Sequence, residues 1–420
     1  MKTTHDAGRG VFLIYLAVFG AYTGQQILTP ILPPLARELS LSEFQYGLVM
    51  SVSAAVVALI SPVWGRRADV WGRKSLLVFG LFGAAGGLAA FALFVHLGLS
   101  GVVTPVTVFV LLMLARGLLF GGSLAAVPVA AQAYVADVTT EDEAARIKGI
   151  ARVGAALGLA LVLGPGIGGL LGDFGAMPAL VTAPVLLALV ACAVWAWLPP
   201  ERRQRTSRTK PPRLSPLDPR IRPHLVAGVG IYLSTSLLQT SIGFLLQDRL
   251  ELSAQETVEL AGMTLLAGGL PMLVVQGLLI PRLRWTPQRL MRVGVPLTGV
   301  AFVAMCAADS LPVFLIATVV SGTGHSLAIP GYNSALSLSV EADEQGGVAG
   351  LAASANAFTM VLGPLAATAL YQASPVLPFA VGAAELAGLF LFLMVRHDRP
   401  ASPAEPPAEE TLQPRDDARS

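Results

Sequence analysis

Charge is the scarcest commodity in this 420-residue chain: Lys, Arg, Asp and Glu together make up 13% of it, about half the share of an ordinary soluble domain. Too few ionic groups remain to solvate a folded surface of that size. With 54% hydrophobic residues, the chain needs a solvent other than water, which excludes a freely soluble enzyme. The net charge of +2 gives no sign of nucleic-acid binding. Cysteine is nearly missing. Cys192 and Cys306 both fall inside apolar runs, where neither a disulfide framework nor a zinc site is expected. Long polar domains, a Walker lysine loop and the HExxH or DxxD spacings of metal catalysis are absent too. The acidic run Glu141-Asp142-Glu143 reads as a loop cluster. No catalysis, cofactor or ATP-driven step is therefore expected.

What the chain does have is apolar length. A membrane helix needs about 20 apolar residues to cross about 30 Å of hydrocarbon. Twelve such runs lie near 11–33, 44–64, 76–97, 103–128, 149–171, 177–198, 225–247, 258–280, 291–309, 311–335, 347–372 and 376–396. The first is too long, and with Pro30, Pro33 and Pro34 too proline-rich, for a cleaved signal, so it counts as a span. Placing both termini in the cytoplasm puts 25 of the 28 basic residues inside, as the positive-inside rule demands. Only Arg37 and Arg249 stay outside, and Arg116 falls within span four.

A basic, Pro- and Ser-rich stretch, residues 199–224, divides the chain. The expected organisation is an N-terminal six-helix bundle (1–198), a cytoplasmic linker (199–224), a C-terminal six-helix bundle (225–396) and a disordered cytoplasmic tail (397–420). The halves echo each other. Residues 121–144 parallel 323–346, with Pro128 matching Pro330; LVLGPGIGG parallels MVLGPLAAT; Trp71 and Gly80 match Trp285 and Gly294. Three matches in the same order point to an internal duplication.

Span five contains ALVLGPGIGGLLG, in which helix breakers sit among helix formers. In a soluble helix Pro costs about 3 kcal/mol and each Gly about 1. In lipid, small residues let neighbouring backbones approach, so the run reads as a membrane helix presenting Ala156, Ala160, Gly164, Gly168 and Gly172 as one smooth stripe.

At this point the chain resembles the major facilitator superfamily, and within it the drug/proton antiporter group with twelve spans. Gly164-Pro165-Gly166-Ile167-Gly168-Gly169 is similar to that group's GPxxGG motif. The stretch Gly65 to Lys74 is similar to the loop pattern GxLaDrxGrk, with Arg67 and Val70 departing from it. Thr23-Gly24 followed by Pro30-Ile31-Leu32-Pro33 is similar to the first-span pattern, and Arg116 to the basic residue of the fourth-span pattern RxxqGxg, whose Gln and Gly are here Leu119 and Phe120. The resemblance runs to about residue 396. It implies an all-α polytopic fold of two six-helix bundles. It also implies proton-coupled export of small amphipathic compounds by alternating access in the cell membrane, with protons and substrate as partners and a monomer as the working unit. A proton-coupled importer or facilitator, or a transport-inactive sensor of the same fold, are the alternatives. An acid in span one, usual in many multidrug exporters, is absent, which favours a narrower substrate range.

Several residues carry two readings. Arg116 costs about 2.5 to 3.5 kcal/mol at the centre of a span; it is either a cavity charge sensing proton or substrate, or a structural Arg bonded to carbonyls. Glu385 in span twelve is either the proton carrier or a neutral interhelical donor. His325 in span ten is a second titratable group, or a packed residue with satisfied nitrogens. Gln25, Gln26, Gln239, Tyr332, Asn333 and Asn356 furnish a polar cavity or bond helix to helix. Asp69, between Gly65 and Gly72, is either solvated or a gate latch. The resemblance implies the latch: Asp69 facing the N-terminus of span eleven, and Arg73, followed by Lys74, pairing with Asp137, only when the cytoplasmic side is shut.

Overall fold

The structure is a computed structural model that describes residues 2–138, 143–199, 214–341 and 344–395, with the side chains of 2–8 and 143–147 left aside. The expected tail from 397, and residues 200–213 of the expected linker, lie outside the described residues. Among the described residues the chain is all-helical. Its twelve spanning helices are α1 (Arg9–Ile27), α2 (Glu43–Trp71), α3 (Arg73–Leu99), α4 (Pro105–Val138), α5 (Lys148–Gly172), α6 (Ala176–Trp197), α7 (Arg222–Arg249), α8 (Ala254–Leu283), α9 (Pro287–Cys306), α10 (Leu311–Ser337), α11 (Gln345–Ala373) and α12 (Leu377–Val395). This is a multi-pass membrane protein.

Local sequence sets the ends. The first apolar run breaks after Ile27 because Pro30 has no N–H to give and crowds the carbonyl of Gln26. A short helix, Leu32–Glu38, follows with its prolines at the opening positions, where a missing N–H costs nothing. Gly72, at φ 88°, turns α2 into α3, a conformation that a side chain resists. α4 contains a wide π turn over Met113–Phe120 and a step at Ala125 just ahead of Pro128. Pro165 lies inside the continuous helix ending at Gly172, so the breakers of span five do sit within a membrane helix.

The duplication is visible in packing. α2 and α8 both begin with a capping box, Ser42 with Gln45 and Ser253 with Glu256. Ser40 and Glu251 just before them share the left-handed conformation, at φ 57° and 52°. Gly80 admits α4 at Ser123 and Ala126, as Gly294 admits α10 at Gly324 and Ala328. Within the N-terminal half α1 packs on α5 and α6, and α3 on α4 and α6; within the C-terminal half α9 packs on α10 and α12, and α7 on α10, α11 and α12. The halves meet chiefly along α2 with α11 and α5 with α8.

Candidate functional site

The two ends of these inter-half seams differ. At the end carrying Arg37, a Cβ at position 47 would collide with Thr368 and lie 2.8 Å from the Pro364 carbonyl of α11. A Cβ at position 169 would lie 2.9 Å from the Gly262 Cα of α8. Only glycine allows such approach. At the end carrying Arg73 the same four helices are apart: a Cβ at Gly65, Gly154, Gly277 or Gly350 would meet nothing within 4 Å. α2, α8 and α11 are also the least buried spans, at 22%, 11% and 17% of their most apolar windows. The space between the halves is closed at the Arg37 end and open at the Arg73 end.

The closed end is fastened by a polar network. Arg37 donates to both Asp248 oxygens, at 2.5 and 3.0 Å, to the Gln247 amide oxygen at 3.0 Å and to Glu43 at 3.0 Å. The Tyr371 hydroxyl donates to Asp248 at 2.6 Å. Arg37 also lies 5.1 Å above the Phe244 ring, which contacts Tyr46 and Tyr371 edge-on or tilted at 5.5 Å each. Burial opposes the Arg37 charge, but its bonds to Asp248 and Glu43 outweigh that and hold the guanidinium above its ordinary value. Sequence reasoning had Arg37 only as an outside basic residue. The available signal was its opposite partner, Asp248, at the corresponding end of the first helix of the second repeat.

At the open end Arg73 bonds Asp137 at 2.9 Å and Asp69 at 2.8 Å, and Lys74 is half-buried beside it. This revises one expectation. The Arg73–Asp137 contact is present with that end open, because both residues belong to the N-terminal half and move together. Asp69 bonds Arg73, with its side chain 56% exposed, and among the described residues it has no ion pair with α11. Gly65 leaves its surroundings empty, and Gly72 serves the turn between α2 and α3.

The span-five motif is also divided differently. Cβ atoms at Gly164 and Gly168 would strike Gln26 and the Ile27 carbonyl of α1. Those at Gly166, Gly169 and Gly172 would strike Leu266, Gly262 and Val258 of α8. Pro165 sits between the two faces, its carbonyl against Gly262. The single stripe read from spacing four is therefore two faces: one packs within the N-terminal half, and the other seals against the partner half.

The intramembrane polar residues do not converge. Arg116, in the π turn, is 1% exposed, lies 3.4 Å from the Ser53 hydroxyl and stacks its guanidinium 4.2 Å from the Phe120 centroid. Glu385 of α12 is pressed against Gly230 of α7, and its Oε2 is buried without a partner. His325 is 9% exposed; its Nδ1 donates to the Ser321 carbonyl at 3.0 Å, and its Nε2 is 3.0 Å from the Ser234 hydroxyl. Both ring nitrogens are thus occupied. Gln25 has a buried amide oxygen without a partner. Gln239 is exposed, and exposed Asn333 sits beside Tyr232. Arg116 and Glu385 occupy different halves, and each lacks an ion-pair partner among the described residues.

Comparison with known proteins agrees with this architecture. The chain is 27% identical over 370 residues to the tetracycline resistance protein, class G, of Vibrio anguillarum, covering 84% of this chain and 87% of that protein. It is 29% identical over 216 residues to multidrug resistance protein 2 of Bacillus subtilis (strain 168), covering 50% of each. The crystal structure of a single-residue mutant of the nucleoside transporter NupG superposes with a TM-score of 0.71 at 12% identity, covering 92% of this chain and 99% of that one. Residues 14–306 and 279–419 match the Major Facilitator Superfamily. With twelve spanning helices, a duplicated bundle and a central space open at one end, the chain belongs to the major facilitator superfamily of transporters.

Proposed function

We propose that this transporter exports small amphipathic compounds, drugs among them, in exchange for protons. The relatives named for tetracycline and multidrug resistance support the substrate class. The observation that carries the coupling is Glu385. It is an acid well inside a span, pressed on Gly230 with one oxygen buried and unpartnered, and an ionisable group so placed is a functional site by default.

With both termini in the cytoplasm of a cell-membrane protein, the open Arg73 end faces inward. The structure then represents the state that loads substrate from the cytoplasm. Rocking the halves breaks the Arg37 network, opens the other end and brings Asp69 toward the start of α11, where the helix dipole favours an anion. The working unit is a monomer, driven by the proton gradient and requiring no cofactor.

Glu385→Gln tests the coupling in proteoliposomes. A neutral amide resembles the protonated acid, so substrate still exchanges down its own gradient while uphill flux under an imposed pH difference disappears. Substrate affinity in the wild type rises with pH between 6 and 8, by linkage between proton and substrate, and the variant loses that dependence. Unchanged uphill flux in the variant removes Glu385 from the coupling and leaves it as a packing residue.

A further inference from the structure

The turn from α8 into α9, at the open end, carries charge of one sign. Arg282, Arg284 and Arg289 are all exposed, and among the described residues none of them makes an ion pair. The sequence has no Asp or Glu between Glu259 and Asp309, and those two lie toward the closed end, near the start of α8 and just past the end of α9. Glu344, just ahead of α11, is taken up by Arg220. The first repeat differs: there Asp69 and Asp137 both bond Arg73. The register that matches Trp71 to Trp285 and Gly80 to Gly294 puts Leu283 at the position of Asp69, and the match of Pro128 to Pro330 puts Ser339 at that of Asp137. The second repeat thus has the aromatic anchor and the positive charge without the acids.

The turn holds these cations where the apolar helices end. Trp285 is half-buried on an apolar cluster of Val275, Leu290 and Leu327, the setting an indole takes where hydrocarbon meets water. The Arg289 guanidinium lies 4.7 Å from its ring centroid, a contact that positions the cation and leaves its charge in place. Arg282 uses one nitrogen on the Leu278 carbonyl, at 2.7 Å, and Arg284, at φ 46°, makes the bend. On α9, which packs on α10 and α12, Arg289 heads a stripe of exposed apolar side chains, Val293, Val300 and Val303, spaced to share one helix face. Positive charge above and exposed hydrocarbon below match a lipid, which supplies an anion and an acyl chain in that order.

We infer that this turn binds an anionic phospholipid of the leaflet at the open end: the phosphate lies among Arg284, Arg289 and the remaining nitrogens of Arg282, and an acyl chain runs along Val293 and Val300. Guanidinium suits the task, because its planar donors take phosphate oxygens in pairs, and basic residues clustered at the end of a span attract anionic headgroups. Residues 397–420 offer a rival anion in Glu405, Glu409, Glu410, Asp416 and Asp417, but Leu412 is their one large apolar residue, too little to cover the valine stripe. The site stands apart from the export reading, since neither Glu385 nor the cargo takes part in it.

The test is nondenaturing mass spectrometry of the purified full-length protein, titrated in detergent micelles with phosphatidylglycerol or phosphatidylcholine of matched acyl chains, which gives the affinity for the first lipid bound. Phosphatidylglycerol binds more tightly. Arg284→Gln and Arg289→Gln each weaken it about fivefold, the share of one basic residue at a membrane surface, and leave phosphatidylcholine unchanged. Arg66→Gln with Arg67→Gln, at the matching turn of the first repeat, and Arg202→Gln with Arg203→Gln, in the linker, leave both lipids nearly unchanged. Should the turn variants fail to fold, Leu283→Asp gives the second repeat the acid that the first has there; with every arginine in place it must weaken phosphatidylglycerol and spare phosphatidylcholine. Equal affinity for the two lipids, or as large a loss in the first-repeat or linker variants as in the turn variants, overturns the site. A preference for phosphatidylglycerol that emerges only once the five tail acids are changed to amides makes the tail the occupant, and displacement of phosphatidylglycerol by inorganic phosphate makes it a free anion; either overturns the lipid site.

Discussion

Arg37 and Asp248 stand 211 residues apart and bind each other through two hydrogen bonds. The same spacing relates Ser40 to Glu251, Ser42 to Ser253 and Gln45 to Glu256, pairs with matching conformation or capping in the two repeats. Arg37 and Asp248 are thus the same position of a duplicated unit, given opposite charges and brought together where the repeats meet. Identical residues there would repel or leave a pair of unmet groups. The divergence converts a symmetric seam into a fastening.

Arg37→Ala or Asp248→Asn should weaken that fastening by about 1 kcal/mol, typical of a partly exposed ion pair, and so shift the ratio of closed to open states about fivefold. Spin labels on α2 and α11 at that end read the distance distribution. The reversed pair, Arg37→Asp with Asp248→Arg, recovers part of the closed population. An unchanged distribution in the single variants would show that the glycine seam alone holds this end.

Two adjacent glycines should respond differently to the same substitution. Gly168→Val drives a side chain into the Ile27 carbonyl of α1, a clash within one half, and should lower thermal stability by about 1 to 3 kcal/mol, as overpacking does. Gly169→Val pushes on α8 across the halves, so it should hold its unfolding temperature more nearly while opening the Arg37 end and leaking protons. Leu170→Ala, at a side chain 69% exposed, leaves both measurements unchanged. Equal effects at 168 and 169 would dissolve the distinction between the two faces.

The fold was legible because a membrane writes itself as length: apolar runs gave all twelve helices, and the Gly-Pro breakers of span five were correctly placed inside one. The boundaries were less legible. The helical turns carrying Arg66, Arg67 and Asp69 are polar, so apolarity stopped near residue 64 while the helix continues to Trp71. The Pro30 break was hidden because the apolar run continued through it. At the sites, a spacing of four cannot reveal which neighbour each glycine meets, and Gly168 with Gly169 shows how one residue changes the partner. Nor does sequence tell whether a contact lies within a half or between halves, and that decides whether Arg73–Asp137 reports the gate.

That pair makes its own prediction. Arg73 and Asp137 are 13% and 19% exposed in their side chains and join the start of α3 to the end of α4, so their bond stabilises the N-terminal half whichever way the transporter faces. Asp137→Asn should cost about 1.5 to 3 kcal/mol, the range of a hydrogen bond to a charged group. A double-mutant cycle with Arg73→Gln, read by thermal unfolding, gives a coupling energy of that order. The label distances at the Arg37 end stay constant. A change in those distances without loss of stability would restore the pair to the gate.

The segment leading into α7 is pinned in a way that pH should release. Arg220 bonds Asp218 at 2.9 Å and Glu344, just ahead of α11, at 3.1 Å. These bonds hold both carboxyl groups below their usual range. A carboxylate with a depressed value contributes its stabilisation above its ordinary value, about 4, and loses it as the pH falls through the depressed one. The tether is therefore intact at neutral pH and lets go only in acid. Leu217, 72% exposed on the same turn, accepts a spin label after Leu217→Cys, with Cys192 and Cys306 changed to Ser. Label mobility should stay constant from pH 8 to about 5 and rise below about 4. In Arg220→Gln the label should be mobile at every pH, since the neutral amide cannot hold two acids. A label that loosens between pH 6 and 8 would place the controlling group elsewhere and remove Arg220 from the tether.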